Sequence, residues 1–201
     1  MTVNQTFEET ELVMGFTVAD YHTAIKDKDR DKIADAIHRR FRERYLDPVS
    51  DPKAPRHGFT MMAIACLMIE ALESFRRGWP DTSQRGQGKH AFCSFFDTHS
   101  AFAPFRGHAR DFWKGVRCGI LHQAETTLGW RIRRDTSNLL TVTPGARIIN
   151  ATLFIQALGN ALDAYRDALK AAPWGHDLWE CLQRKMKRVC ANCNRKSADI
   201  A

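Results

Sequence analysis

The sequence predicts an all-α protein, a helical bundle with one small inserted β-hairpin. Three observations predict it. Apolar residues recur every three or four positions over most of the chain. Residues 59–69, FTMMAIACLMI, are apolar on nearly every face, as a central helix is. Between Gly129 and Gly145 the period falls to two, the spacing of a half-buried strand.

The elements follow in order. Ile33, Ile37, Phe41 and Tyr45 recur every four residues and predict a helix over 29–45 with one buried stripe. Three prolines within residues 47–58, DPVSDPKAPRHG, end it, because proline lacks the N–H a helix needs. The apolar helix runs over 59–75 and turns charged at its end, where Gly78 and Pro80 stop it. Residues 81–90, DTSQRGQGKH, read as a solvated connection; the Gly-Lys pair at 88–89 lacks the glycine spacing of a phosphate-cradling loop. A short aromatic helix with Phe92, Phe95 and Phe96 comes next. Ala109, Phe112, Trp113, Val116 and Ile120 form the stripe of a helix over 108–122. The hairpin has strands GWRIRRD and NLLTVTPG, with DTSN as its turn. A long helix spans 147–170, with Ala151, Phe154, Leu158, Ala161, Tyr165 and Leu169 inward, and Pro173 and Gly175 end it. The last helix, 177–190, buries Leu178, Leu182, Met186 and Val189 and exposes Arg184, Lys185, Lys187 and Arg188. Residues 1–201 are read as one helical domain, with 171–201 as a basic C-terminal helical extension.

Composition narrows the function classes. The chain has 201 residues, 44% hydrophobic and 26% charged, enough for a core and unlike a disordered chain. Its acidic, polar N-terminus does not resemble a signal peptide, and the apolar stretch reads as too short to span a membrane, so a cytoplasmic protein with no membrane partner is expected. The net charge of +7 favours polyanions such as RNA or DNA as partners. The six cysteines read as reduced thiols. Cys190 and Cys193 have metal-like spacing, but no second such pair exists, and completing a zinc site with Cys181 and His176 matches no zinc pattern. No metal or cofactor is expected.

The chemistry concentrates in FWKGVRCGILHQAE, residues 112–125. Five steps along an α-helix turn about 500°, so Arg117 and His122 sit roughly 140° apart on a straight helix. Gly119 between them weakens the helix by roughly 1 kcal/mol relative to alanine and favours a π-bulge. Metal-free RNA cleavage needs a proton-transfer group for the 2′-hydroxyl or the leaving oxygen, which histidine supplies near neutral pH. It also needs a fixed cation for the charge growing on the phosphate, which arginine supplies as a planar fork. The plainer alternative is a surface arginine and a helix-terminal histidine, favoured there by the helix dipole.

The stretch VRCGILHQAETTLGWRI, residues 116–132, resembles the HEPN superfamily, whose signature is an arginine, four to six residues, then a histidine near a helix end. The likeness extends over roughly 30–170, though only the motif is specific. The resemblance implies an all-α bundle, metal-independent endoribonuclease activity and a homodimer whose two motifs face one cleft. It assigns Arg117 to the scissile phosphate and His122 to acid–base work. It also suggests a toxin or antiviral defence effector, with an antitoxin as a possible partner. Where active members carry Asn, Asp or His directly after the arginine, this chain has Cys118. A non-catalytic module binding nucleic acid or a nucleotide is the alternative.

Further candidates surround the motif. His108 and Arg110, one to two turns earlier, would widen a basic cleft. Glu70, with Glu73, ends the apolar helix and would orient His122. Asn150, opening the long helix, would reach the site. Arg131 and Arg133 on the hairpin would bind RNA by phosphate contacts beside the stacking ring of Trp130.

Overall fold

The computed structural model describes residues 7–50, 57–84 and 86–193. The fold is mainly helical, with two small sheets. A two-stranded antiparallel ribbon, β1 (Glu11–Val13) and β2 (Phe16–Thr17), leads into α1 (Val18–Asp27). Thr17 caps α1 through a capping box with Asp20. These elements lie outside the regions the periodicity marked, and the Thr-x-x-Asp pattern was the available signal for α1.

Helix α2 (Arg30–Phe41) starts on the side chain of Asp29, which accepts from Lys32 N at 3.0 Å. It continues as a π-helical segment, Arg42–Leu46. Part of the proline-rich break, 51–56, lies outside the described residues. Helix α3 (Gly58–Arg77) is the centre of the fold and packs against α2's continuation, α4 (Gln87–Thr98), α7 (Ala151–Ala171) and α8 (Asp177–Cys193). With 20 residues it is longer than the sequence reading allowed, and by length and composition it could cross a membrane. Most of its surface is instead buried against these helices, as in the core helix of a soluble protein. It ends on Gly78 at φ 66°, a left-handed cap that favours glycine. The connection after it is shorter than expected, since α4 begins at Gln87 and not after His90.

An aromatic cluster fixes the motif helix. Phe92, Phe95 and Phe96 of α4, Phe102 and Phe105 of a 3₁₀ segment (Ser100–His108), Phe112 and Phe154 are all fully buried. Phe96 meets Phe112 edge-on at 5.1 Å, and Phe112 stacks on Phe154 of α7 at 5.7 Å. Rings of this size dominate core energetics and hold fixed mutual geometry. They pin α5 (Ala109–Phe112) between α4 and α7.

The second sheet corrects the hairpin expectation. Its order is β3 (Trp130–Arg133), β5 (Ala146–Asn150), β4 (Leu140–Thr143), with β3 parallel and β4 antiparallel to β5. The hairpin therefore joins β4 to β5 through Pro144–Gly145, where Thr143 pairs with Ala146 and Gly145 has φ 86°. A Pro-Gly pair between two-periodic runs was the turn signal, stronger than DTSN. The long helix accordingly starts at Ala151, and 146–150 is strand.

The C-terminal stretch read as an extension packs into the core. Trp179, Leu182, Met186 and Cys190 of α8 are buried, and Trp179 Nε1 donates to the Leu169 carbonyl at 3.1 Å.

Candidate functional site

The motif helix is three pieces in one run: α5, a π-helical segment (Trp113–Cys118) and α6 (Gly119–Gln123). The bulge favoured by Gly119 is present, but it ends just before that glycine. Most of the interval from Arg117 to His122 therefore keeps α geometry, and the bulge does not by itself gather the two side chains.

Gly115 and Gly119 have a packing role that the propensity argument missed. A Cβ on Gly115 would lie 2.7 Å from the Thr127 carbonyl oxygen and 2.6 Å from the Trp130 ring. One on Gly119 would lie 2.4 Å from the Glu125 carbonyl oxygen. After Ala124, in the left-handed region at φ 54°, the chain doubles back along this bare face. Thr127 N donates to the Gly115 carbonyl at 2.8 Å. The i, i+4 spacing of the two glycines was the signal.

Arg117 turns inward. Its Nε donates to Oε1 of Glu70 at 2.7 Å, and its side chain is 22% exposed. Among the described residues no carboxylate or carbonyl takes its Nη groups. Burial works against the guanidinium charge, but the hydrogen bond and charge of Glu70 more than offset it and raise its pKa. The Cys118 thiol lies beside the guanidinium and adds to this.

Glu70 is buried, 7% exposed, and needs several donors to stay there. Arg117 is one, and the Thr82 hydroxyl, donating to Oε2 at 2.8 Å, is another. The first turn of α4 supplies the third influence. Gly88 sits so close that a Cβ there would be 3.4 Å from Oε2, putting the carboxylate at the positive end of that helix. Glu70 therefore holds Arg117; it has no bond to His122, the residue it was expected to orient. Glu73, fully buried, serves a separate network with Arg76, Arg77 and Ser94, whose hydroxyl donates to it at 2.7 Å.

His122 occupies the last turn of α6, exposed, with no hydrogen bond among the described residues. Leu121 beside it in sequence and Leu128 six positions on are 42% and 46% exposed.

The remaining candidates do not join Arg117. Asn150 is buried and caps α7, accepting from Leu153 N at 3.0 Å, while its Nδ2 donates to the carbonyls of Thr136 and Arg134. Its role is to tie the 134–139 connection to the helix start. His108 lies against the Trp130 ring, and Arg110 is exposed near Asp111 and Asp97. Arg131 is exposed on β3, but Arg133 is matched by Asp135 through two bonds, 2.8 and 2.6 Å. Trp130, expected to offer a stacking ring, is buried, with Arg147 over its face at 5.5 Å. Only Arg117, Cys118 and Glu70 are assembled.

Compared with known proteins, the chain matches no family model, no curated protein and no solved structure.

Proposed function

We propose that this protein is a metal-independent endoribonuclease of HEPN type. The observation that carries the reading is the Arg117–Glu70 pair: a buried carboxylate holds the guanidinium by Nε and leaves the Nη groups for a phosphate. His122, exposed and unbonded among the described residues, is free to exchange protons with an RNA hydroxyl. In the reaction the 2′-oxygen attacks phosphorus, the bond to the 5′-oxygen breaks, and the products are a 2′,3′-cyclic phosphate and a 5′-hydroxyl. His122 takes the 2′-hydroxyl proton or supplies one to the leaving oxygen, and Arg117 stabilises the equatorial oxygens. Because the two groups diverge along one helix, a homodimer that brings His122 of one copy near Arg117 of the other completes the site. A cytoplasmic toxin or defence effector, with or without an antitoxin, fits this activity.

The test is cleavage of labelled RNA in EDTA by the purified protein, with end-group analysis. Cleavage with cyclic-phosphate ends, lost in His122→Ala at unchanged melting temperature, is the expected result. Equal rates for parent and variant overturn it.

One observation favours a second reading, a non-catalytic nucleic-acid or nucleotide module. The charge of Arg117 is already matched by Glu70, and its neighbour Cys118 is a weak hydrogen-bond donor. Salt-dependent RNA binding with the RNA left intact selects this reading.

A further inference from the structure

A second concentration of positive charge lies on another wall of Glu70. The end of α2, its π-helical continuation, α3 and α8 enclose a pocket of about 370 Å³. Arg40, Arg44 and Lys185 line it, together with Thr82, Glu70, Tyr45 and Leu67. Among the described residues all three cations hydrogen-bond to carbonyl oxygen only. Arg40 and Arg44 both donate to the Leu12 carbonyl, the latter at 3.4 Å, and Lys185 Nζ donates to the Pro80 carbonyl at 2.8 Å. Among the described residues none of the three has a carboxylate within ion-pairing distance. The pocket's two carboxylates are otherwise engaged. Glu70 holds Arg117 and Thr82, and Asp81 accepts from the Ser83 amide and hydroxyl at 2.8 and 2.5 Å.

Such an arrangement is costly on its own. Like charges four apart on a helix repel, and the half-buried Arg40 and Lys185 sit beside the exposed Arg44 with no carboxylate partner among the described residues. Burial, and then the charge of Arg44, push the Arg40 guanidinium down to about 10. Burial lowers the Lys185 ammonium as well; Asp81 opposes that fall, while Arg40 and Arg188 add to it. An anion seated among the three would relieve both the repulsion and the desolvation.

We propose that this pocket binds the phosphate group of a small phosphomonoester, a nucleoside monophosphate or a molecule of similar size. Arg40 and Arg44 offer forked donors to tetrahedral oxygens, and Lys185 supplies a point charge. The Thr82 hydroxyl at the pocket wall is committed to Glu70, so the three cations hold the anion. The ring of Tyr45 and the Leu67 side chain, 41% exposed, give the organic part an apolar surface. The volume lies at the small end of ligand sites, and the cations converge on one concavity where a nucleic-acid strand needs them spread along a track. The pocket shares Glu70 with the Arg117 site but includes neither Arg117 nor His122, and its test uses no cleavage.

The experiment is calorimetric titration of the full chain at constant ionic strength with inorganic phosphate, AMP and adenosine. Saturable binding of phosphate and AMP but not adenosine is expected, weakened at least about tenfold in Arg44→Gln and in Lys185→Gln. AMP tighter than phosphate assigns the apolar wall to the nucleoside; equal affinities assign the site to phosphate alone, and both outcomes support an anion pocket. Arg40 is half-buried and makes the closer of the two bonds to Leu12, whereas Arg44 is exposed, so Arg44→Gln and Lys185→Gln carry the test, with melting curves confirming that they fold. Absence of saturable binding, or equal binding by parent and both variants, overturns the proposal. So does RNA binding that depends on Arg44 and Lys185 where neither small anion binds.

Discussion

Arg117 and Glu70, 47 positions apart in sequence, meet at 2.7 Å between the π-helical turn and the central helix. The pair is asymmetric. Glu70 is nearly sealed, whereas Arg117 keeps an exposed edge. Removing the carboxylate leaves a half-buried cation without its partner, and removing the arginine leaves a buried anion with Thr82 as its one side-chain donor among the described residues. Glu70→Ala should therefore cost about 3 kcal/mol, and Glu70→Gln less. In a double-mutant cycle with Arg117→Gln, the combined loss in urea unfolding should fall well short of the sum of the single losses. Strict additivity would show that the pair is not coupled. If the chain cleaves RNA, Glu70→Gln should also slow cleavage roughly tenfold, because it loosens the guanidinium it positions.

Gly119→Ala should destabilise. Helix propensity alone favours alanine by about 1 kcal/mol. The added methyl would meet the Glu125 carbonyl oxygen at 2.4 Å, and backbone on both sides cannot yield cheaply. A melting temperature several degrees below the parent is expected. A rise would mean that the returning chain does not lie on this face.

Asn150→Ala should cost about 2 kcal/mol, combining a lost helix cap with the freed carbonyls of Arg134 and Thr136. Equilibrium unfolding measures it. Its effect on any RNA cleavage should vanish when rates are expressed per folded molecule, since its polar atoms serve the helix start and the 134–139 connection.

Stability should fall as pH drops from about 6.5 to about 4, with His99 as a contributor. Its ring packs on Phe95 at 4.4 Å, and its Nε2 is buried without a partner among the described residues. Burial, reinforced by the positive charge of Arg76, pushes the imidazole down to about 4, with Glu73 partly opposing. In that window the unfolded chain binds a proton that folded His99 refuses, so acid favours unfolding. Urea titrations at pH 7, 6 and 5 should show a shallower decline for His99→Phe than for the parent. Parallel declines would place the acid sensitivity elsewhere.

The helices that bury a regular stripe were legible in the sequence. Ile33, Ile37 and Phe41 of α2, and Phe154, Leu158 and Leu169 of α7, are buried as their spacing requires. Two-periodicity identified strands 130–133 and 140–143 but not their partner, because pairing depends on which turn closes, and β5 reads equally well as the start of an apolar helix. At the site, Arg117 and Glu70 were each visible as residue types. Their contact was not, because it depends on where α3 lies against the π segment. Periodicity also ranked Trp113 as core, yet it is only half-buried, with its indole N–H beside Gly88 and without a hydrogen-bond partner among the described residues. The role of Gly115 and Gly119 was hidden for a related reason: a flexible residue and a bare surface are the same letter.

The chain that doubles back over those two glycines leaves no slack between His122 and Trp130. A loop inserted at Ala124 or Glu125 would have to lift the return segment off its seat. Ser137, exposed in the connection between β3 and β4, is the place to attach a reporter without disturbing the molecule.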